Sequence, residues 1–381
     1  MLIKRCLIFV LVFAFMFCTL SFPASALTQE EIPSPSAILI EPNSGKILFE
    51  KNADESRACA SITKVMTLLL IMEAIEDGKI SYDDVVTTSE HAKSMGGSDI
   101  WLEVGEQMTV DEMIKATAVA SANDAAVALA EHLCGSESDF VLKMNERAKE
   151  LGMKNTVFKN CNGLDEEGHL TSAYDVALMS AQLIKHEKIF DYTTIWIDTL
   201  RDGETQIVNT NKLLKSYDGI TGLKTGTTGQ AGSCISATAT RGDMSLVAVV
   251  LGSSTGIERF KDAASLLDYG FANYEVLNFS ANDSKLKNIK VKDGMQSEAK
   301  LECVGAKSLV IEKGSSKNVE KNIKLKEELT APVKKGDKAG TLEFTLDEKT
   351  VAKFDIVAKE DIDKISFTAV FFELLDALVA L

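Results

Sequence analysis

The sequence of 381 residues has few histidines, few cysteines and no excess of basic charge. Its four histidines are scattered and no H-E-x-x-H motif occurs, so we predict no metal site. A Ser-His-Asp triad lacks local support, although the members of a triad need not be close in sequence. The formal net charge of −15 argues against a general binder of nucleic acid or anionic lipid.

The N-terminus is typical of an export signal. Lys4 and Arg5 precede an apolar run at 6–22, which Pro23 and a small-residue site at 24–26 follow. We predict a signal peptide at 1–26, with an uncleaved membrane anchor as the alternative. The expected location is the outer face of the cytoplasmic membrane or the cell-wall space.

Cysteines are scarce after this segment and show no metal-binding or redox pattern. None of the five forms a C-x-x-C pair, and an odd number outside the cytoplasm leaves at least one thiol unpaired within the monomer. The sequence leaves open whether any disulfide forms. The five are Cys59, Cys134, Cys161, Cys234 and Cys303.

Hydrophobic periodicity predicts an α+β fold, in which strands from both ends of a domain form one sheet packed with helices. A hairpin is expected at 37–49, and the segment Arg241-Gly242-Asp243 is expected to be a hairpin turn between two later strands. Predicted helices begin at Ser61 and occupy 109–120, 124–134, 138–151, 172–186 and 257–274; predicted strands occupy 222–226, 233–240 and 244–251.

Composition divides the exported chain into three parts. Residues 27–279 are predicted to form the catalytic domain, and short alternating lysine-rich segments at 280–360 predict a small all-β domain. Residues 361–381 form a separate tail. No internal repeat of consistent period is evident.

The stretch around Ser61 and Lys64 places a lysine where a cation is disfavoured. From Val65 to Ala74 only Thr67 and Glu73 are polar, which predicts a helix buried nearly all round. Ser61 is expected to be its N-cap, and the first turn then holds Lys64 close to the positive end of the helix dipole.

Such an environment favours a neutral amine, which can take the proton of a neighbouring serine nucleophile. The alternative is a capping Ser61 beside a Lys64 whose charged end reaches solvent.

Three short motifs occur in the order S-x-x-K, S-x-N and K-T-G. The first occurs at Ser61, Ser284 and Ser297, but only Ser61 precedes an apolar helix. The second occurs at 121–123 and is duplicated at 280–282, but only the first copy lies between two predicted helices. The third, 224–226, occurs once, in a glycine-rich predicted strand. Their combination, each in suitable secondary structure, is specific where each alone is not.

This motif set is that of penicillin-binding proteins and class A β-lactamases. Residues 35–275 resemble the low-molecular-mass penicillin-binding proteins, the D-alanyl-D-alanine carboxypeptidases of serine peptidase family S11. The resemblance extends to the segments at 41–46, 95–98, 163–165 and 266–270. The domain after 280 resembles the C-terminal β domain of the family, more weakly.

The resemblance implies that Ser61 attacks the penultimate D-alanine of a peptidoglycan pentapeptide, releasing the terminal D-alanine and leaving an acyl-enzyme that water hydrolyses. Lys64 is expected to be the base, Ser121 to relay a proton to the leaving amine, and Asn123 to hold the substrate amide. The same serine is expected to react with β-lactam antibiotics. The implied role is in peptidoglycan maturation and cell-wall shape.

The resemblance assigns substrate binding to the K-T-G strand. Lys224 and Thr225 are expected to hold the terminal carboxylate, and Gly226 lets the substrate backbone approach closely. The backbone N–H groups of Ser61 and Thr227 are expected to form the oxyanion hole. The family needs no metal or organic cofactor.

One residue departs from the family pattern. The family usually has proline shortly before the nucleophile, where this sequence has Cys59. This substitution is not expected to abolish activity, but it brings a thiol close to Ser61 and makes inactivation by thiol reagents conceivable.

Two alternatives remain open at this point. A class A β-lactamase needs a deacylating glutamate, usually in E-x-x-L-N, whereas the only Leu-Asn here, Leu277–Asn278, has its glutamate, Glu275, one place off. The second alternative is a penicillin-binding sensor that acylates with negligible turnover.

The tail at 361–381 predicts an amphipathic helix lying in the membrane interface. Two acids within seventeen residues make it too short and too polar to span a bilayer. Its polar face is acidic, so binding to the membrane surface is expected to be hydrophobic; a helix packed on the protein's own core is the alternative. The expected apolar face comprises Phe367, Val370, Phe371, Leu374, Leu375, Leu378 and Leu381.

Overall fold

The computed structural model describes residues 27–278, 286–304, 308–368 and 370–371. The first range contains ten strands and eight α-helices, numbered in chain order. The strands are β1 (Ser36–Glu41), β2 (Lys46–Lys51), β3 (Val85–Thr87), β4 (Gln107–Thr109), β5 (Ile197–Leu200), β6 (Thr205–Val208), β7 (Ile220–Thr228), β8 (Gly232–Arg241), β9 (Met244–Ser253) and β10 (Tyr274–Asn278). The helices are α1 (Lys64–Glu76), α2 (Glu90–Lys93), α3 (Val110–Lys115), α4 (Asn123–Cys134), α5 (Glu137–Glu150), α6 (Ala173–Leu183), α7 (Phe190–Thr193) and α8 (Gly256–Asn273).

A five-stranded antiparallel sheet in the order β2-β1-β9-β8-β7 joins the two ends of this range. Successive residues of a strand point to opposite faces, so Ile38 and Val249 pack into the core beside α1 and α6, whereas Leu39 and Ala248 pack beneath α8. The predicted α+β arrangement, the hairpin β1–β2 and the turn at Arg241, which pairs with Met244, are all confirmed.

Helix α1 is buried on almost every side, as predicted, but its start differs from the prediction. A 3₁₀ turn, Ala60–Thr63, precedes α1 and contains Ser61, which is therefore not an N-cap. The physical reason is that the Ser61 hydroxyl is hydrogen-bonded to Lys64 Nζ. It is not used to satisfy a backbone N–H of the first turn.

The predicted helix at 109–120 is interrupted. Thr109 and Glu112 form the expected capping box at the start of α3. The helix then widens into a π-helical turn, Ala116–Ala120, which ends at Ser121 with φ of 62°. Such turns are frequent at functional sites, and this one leads directly into α4.

The C-terminal part is all β, as predicted. The strands are β11 (Ile289–Lys292), β12 (Glu298–Ala299), β13 (Leu301–Val304), β14 (Ser308–Glu312), β15 (Val319–Leu325), β16 (Glu328–Thr330), β17 (Lys338–Leu346) and β18 (Lys349–Ala358). A three-stranded sheet has the order β12-β11-β16, and a four-stranded sheet has the order β13-β18-β17-β15. One small apolar cluster combines residues of both sheets, such as Val291 of β11 and Ala358 of β18, and a second one lies on the four-stranded sheet.

The two parts are joined by hydrogen-bonded strands. Strand β10 continues from α8 and pairs antiparallel with β14. Val310 of β14 is buried in the core beneath α8, and its carbonyl accepts a hydrogen bond of 2.9 Å from Lys46 Nζ. One strand of the C-terminal part thus packs on the part that contains the five-stranded sheet.

Several expected segments lie outside the described residues: the signal peptide at 1–26, the duplicate motif at 280–282, Ser284, and most of the tail. Within the tail, Ile362 is buried and exchanges backbone hydrogen bonds with Val333, so the residues just after 360 pack on the β domain. The side chain of Phe367 is 88% exposed. No described helix is both long and apolar enough to cross a membrane.

Candidate active site

Ser61 and Lys64 meet at the junction of the 3₁₀ turn and α1. Lys64 Nζ lies 3.1 Å from Ser61 Oγ, 2.5 Å from Asn123 Oδ1 and 2.6 Å from the carbonyl oxygen of Asn162. A protonated amine donates to all three oxygens. A neutral amine keeps the two shorter bonds and turns its lone pair towards Ser61.

Burial is the main influence on the Lys64 amine. The side chain is fully buried, and burial lowers its pKa to about 7, against the opposing effects of Cys161, Asp124 and Asp99. A large fraction of the amine is therefore neutral near neutral pH, as proton transfer from a serine requires. The structure thus buries the Lys64 amine, as the sequence predicts.

Ser121 and Asn123 are presented by the loop that follows the π-helical turn. Ser121 is buried in the left-handed conformation, and Asn123 begins α4. The Asn123 amide donates to the Gly96 carbonyl at 2.6 Å, and its backbone N–H donates to the Ser98 carbonyl at 2.7 Å. The loop at 96–98 thus fixes the amide that contacts Lys64.

Strand β7 brings the K-T-G segment against the 3₁₀ turn Ala60–Thr63. A Cβ on Gly226 would lie 2.9 Å from the Ser61 nitrogen and 2.8 Å from the Cys59 carbonyl oxygen, so the two backbones approach too closely for a side chain. Within the described part of the chain, β7 is an edge strand and its outer backbone groups have no partner strand in the sheet. An edge of this kind can pair with an extended peptide.

The side chains of this strand bring further polar groups to the site. Lys224 is fully buried, and its pKa lies well below the ordinary value because of burial and the charges of Lys64 and Arg259. Its Nζ donates to the Thr225 carbonyl at 3.1 Å. Thr225 Oγ1 donates to Thr210 Oγ1 at 2.6 Å.

Sequence reasoning missed Arg259. This residue of α8 lies beneath β7 and donates to the Gly226 carbonyl and Thr227 Oγ1, both at 2.8 Å, and to the Cys234 carbonyl at 3.2 Å. It is 8% exposed. The signal that singled out Lys64, a cation near the N-terminus of a packed helix, would have found Arg259 too.

A loop at 160–165, whose last three residues belong to the family resemblance, packs against the turn that contains Ser61. A Cβ on Gly163 would lie 2.0 Å from the Ala60 carbonyl oxygen, so only glycine fits there at its φ of 89°. Asp165 accepts a hydrogen bond of 2.6 Å from Thr228 Oγ1 and so ties this loop to the end of β7.

The cysteines, Ser297 and the potential metal ligands add no further group to the cluster around Ser61 and Lys64. All five cysteines of the predicted mature chain are free thiols. Burial raises the pKa of Cys59 to about 12, which opposes the reactivity considered for it. Ser297 is exposed in the β domain. Among the described residues, no three His, Cys, Asp or Glu side chains are grouped so that they could hold a metal ion.

Comparison with known families identifies the chain. The model of the D-alanyl-D-alanine carboxypeptidases, peptidase family S11, matches residues 23–255. The chain belongs to this family. A model of the C-terminal domain of penicillin-binding protein 5 matches residues 274–364.

Individual members of family S11 are similar to this chain over most of its length. D-alanyl-D-alanine carboxypeptidase DacF of Bacillus subtilis (strain 168) is 48% identical over 336 residues, 87% of this chain and 86% of the relative. DacC of Escherichia coli (strain K12) is 36% identical over 366 residues, 93% and 91% of the two chains. The structure of penicillin-binding protein 5 from Haemophilus influenzae is similar with a TM-score of 0.80 at 32% identity, covering 89% of this chain and 100% of that chain.

Family membership makes the protein a serine-type D-alanyl-D-alanine carboxypeptidase, a hydrolase. The fold class and family predicted from the three motifs are confirmed. Neither alternative is favoured. In particular, Glu275 lies on β10, where its carboxylate accepts hydrogen bonds of 3.0 Å and 3.3 Å from the backbone of Gly314 and Ser316.

Proposed function

We propose that Ser61 is the nucleophile that removes the terminal D-alanine from peptidoglycan pentapeptide stems. Ser61 Oγ adds to the carbonyl carbon of the penultimate D-alanine, the bond to the terminal D-alanine breaks, and water hydrolyses the acyl-enzyme. The observation that carries this proposal is the 3.1 Å separation between Ser61 Oγ and the nitrogen of the fully buried Lys64.

Lys64 is the base in this proposal. It accepts the Ser61 proton as the new C–O bond forms, and its pKa of about 7 suits that transfer near neutral pH. Asn123 Oδ1 and the Asn162 carbonyl hold the amine in place through the acylation step.

Ser121 then delivers a proton to the departing amine of D-alanine and takes in its place the proton that Lys64 accepted from Ser61. Two features support this role: the hydroxyl is carried by the turn that also positions Asn123, and the left-handed backbone of Ser121 is an uncommon conformation for a residue with a side chain. Asn123 holds the substrate amide on the same side of the cleft.

The terminal carboxylate of the substrate binds to Lys224 and Thr225. Burial, together with the nearby charges of Lys64 and Arg259, holds the pKa of Lys224 well below its ordinary value. A bound carboxylate supplies the missing negative charge, so the Lys224 ammonium becomes favourable when substrate is present.

The backbone N–H groups of Ser61 and Thr227 form the oxyanion hole. The close approach of Gly226 to Ser61 nitrogen supports this arrangement, and Arg259 fixes the neighbouring backbone through the Gly226 carbonyl. A β-lactam ring places its carbonyl at the same position, so penicillins acylate Ser61 and block the site.

The test is release of D-alanine from a pentapeptide stem, measured beside hydrolysis of nitrocefin. We expect steady release of D-alanine and one equivalent of nitrocefin consumed per enzyme. Steady nitrocefin hydrolysis without D-alanine release would make the protein a β-lactamase. Labelling by penicillin with neither turnover would make it a sensor.

The location of the protein also belongs to this proposal. The charged and apolar N-terminus at 1–26 exports the chain, the catalytic domain at 27–279 acts on the cell wall, and the β domain at 280–360 connects it to the tail. The exposure of Phe367 and its stacking on Phe371, with ring centroids 6.2 Å apart, supports a membrane-associating segment there.

A further inference from the structure

A buried group of hydrogen-bonded side chains lies against the 3₁₀ turn Ala60–Thr63 and has no role in the mechanism above. Its centre is Thr63 Oγ1, which lies 2.9 Å from the Ala60 carbonyl oxygen, 2.8 Å from His169 Nε2 and 3.4 Å from Cys59 Sγ. A hydroxyl has one proton to donate and two lone pairs. Three neighbours therefore use its full capacity, provided that each bond has a definite direction.

The directions of these bonds follow from the neighbours of His169. His169 Nδ1 accepts the backbone N–H of Lys159 at 3.1 Å, and burial lowers the pKa of the ring to about 4, so the ring is neutral at neutral pH. Its proton is then on Nε2, which donates to Thr63 Oγ1. The Thr63 hydroxyl consequently donates to the Ala60 carbonyl.

The Ala60 carbonyl belongs to the same peptide group as the Ser61 N–H. In a trans peptide these two bonds point in opposite directions. A carbonyl held at Thr63 therefore turns the Ser61 N–H away from Thr63. Ala60 has φ of 51°, which is uncommon for a residue with a side chain, so this peptide orientation needs support from its surroundings.

We propose that Thr63 and His169 are positioning residues that orient the Ala60–Ser61 peptide, so that the Ser61 N–H serves as an oxyanion donor. Neither residue touches substrate; both act through the Ala60 carbonyl. Gly163 leaves space for that carbonyl on one side, and Gly226 leaves space beside the Ser61 nitrogen on the other. The inference rests on the proposed role of Ser61 as the nucleophile.

The test is Thr63→Val, which removes the hydroxyl and keeps the side-chain shape. Loss of one oxyanion donor lowers the rate by about 10²–10³-fold. A Ser61 N–H that is present but wrongly oriented should lower the rate by a smaller factor. We expect at least about a 10-fold fall in kcat for the pentapeptide and in the acylation rate by a fluorescent penicillin, with KM nearly unchanged. The affinity of a peptide boronic acid ending in D-boroalanine should fall in parallel, because its boronate oxygen occupies the oxyanion position.

Conservative variants separate positioning from packing. Thr63→Ser keeps the hydroxyl, and His169→Gln keeps a donor near the position of Nε2, so both should acylate within a few-fold of wild type. His169→Leu should behave like Thr63→Val. The matched control is Ser180→Ala, which removes a different buried hydroxyl, hydrogen-bonded to Ser236 at 2.8 Å, and should leave acylation unchanged.

The proposal is overturned if folded Thr63→Val or His169→Leu acylates at the wild-type rate, whatever its melting temperature. It is equally overturned if Thr63→Ser is as slow as Thr63→Val. Should Thr63→Val not fold, the pair His169→Leu and His169→Gln makes the same comparison. Failure of the wild-type protein to be labelled at Ser61 would instead remove the proposed nucleophile.

Discussion

The catalytic part and the β domain of this chain differ in whether they bury polar and charged side chains. Among the described residues, the buried polar and charged side chains all lie in the first part, none beyond Asp262, and they include Lys64, Lys224 and Arg259. The β domain buries apolar side chains such as Phe344 and Ile356, and those of its lysines that the structure describes lie at the surface.

Two lysines show what this difference does. Burial lowers the pKa of Lys64 to about 7, whereas the pKa of Lys353 is raised by its hydrogen bond and charge interaction with Glu343. The first is prepared to lose its proton and the second to keep it. Reactivity in this protein therefore follows from where a side chain is buried, since both residues have the same chemistry in water.

The largest expected effect is that of Ser61→Ala. Covalent labelling by a fluorescent penicillin should disappear, because the attacking oxygen is gone, while the fold should persist. Labelled protein on a gel measures this. Two controls remove the serine of the other S-x-x-K copies. Ser297 is exposed in the β domain, and both Ser297→Ala and Ser284→Ala should be labelled like the wild-type protein. Persistent labelling of Ser61→Ala would contradict the assignment.

Lys64→Arg should reduce acylation by about 10²-fold or more, although it keeps the positive charge, because a guanidinium group cannot act as a base. In the wild-type protein, acylation should rise as pH increases through about 7 and level off above it, since only the neutral amine accepts the Ser61 proton. The rate of penicillin acylation against pH measures this. An arginine variant that reacts at the wild-type rate would leave Lys64 a structural role only.

Gly226→Ala should lower both acylation and stability. Its Cβ would come within 2.8–3.0 Å of Cys59 oxygen, Ser61 nitrogen and Ala60 Cβ, so β7 must move away from the turn that contains Ser61, at a cost of about 1–3 kcal/mol.

The matched control for this change is Gly229→Ala, because nothing lies within 4 Å of the Cβ it would add. Thermal unfolding and acylation rates compare the two variants. Equal behaviour of the two would show that the close approach of β7 is not required.

Val310→Ala should lower stability without changing acylation. Val310 is buried in the core beneath α8 although it belongs to the β domain, so the cavity should cost about 1–3 kcal/mol. Val351→Ala, on the more exposed side of β18 at 37% exposure, should cost less. Urea unfolding measures the free energy of unfolding of both variants. An equal loss in the two would show that the packing of Val310 beneath α8 adds no extra stability.

The smallest effect on activity is expected from removing the tail. Full-length mature protein should sediment with lipid vesicles even in high salt, because its attachment is hydrophobic, and truncation should release it with full activity. Truncation after Glu360 would also remove Ile362, which is buried, so truncation after Ser366 is the cleaner variant. Full-length protein that stays in the supernatant would make the tail a structural element.

Much of this arrangement was predictable because local patterns carry it. The apolar run after Lys64 predicts a buried helix, and the capping box at Thr109 fixes the start of α3. Three ordered motifs point to the family. The 3₁₀ turn at Ser61 and the π-helical turn before Ser121 could not be predicted from the sequence. Their backbone geometry is set by contacts with distant residues, which leave no periodic pattern of apolar residues.

By itself the sequence determined the fold class, the family and the residue types available for chemistry, because hydrophobic periodicity and motif order are local properties of the chain. Only the tertiary structure decided that Arg259 supports β7 and that Asn162 holds the Lys64 amine. It alone also placed His169 beside Thr63, 106 residues away in sequence. The physical reason is that burial, a pKa and the direction of a peptide group depend on atoms that adjoin one another only after the sheet has closed.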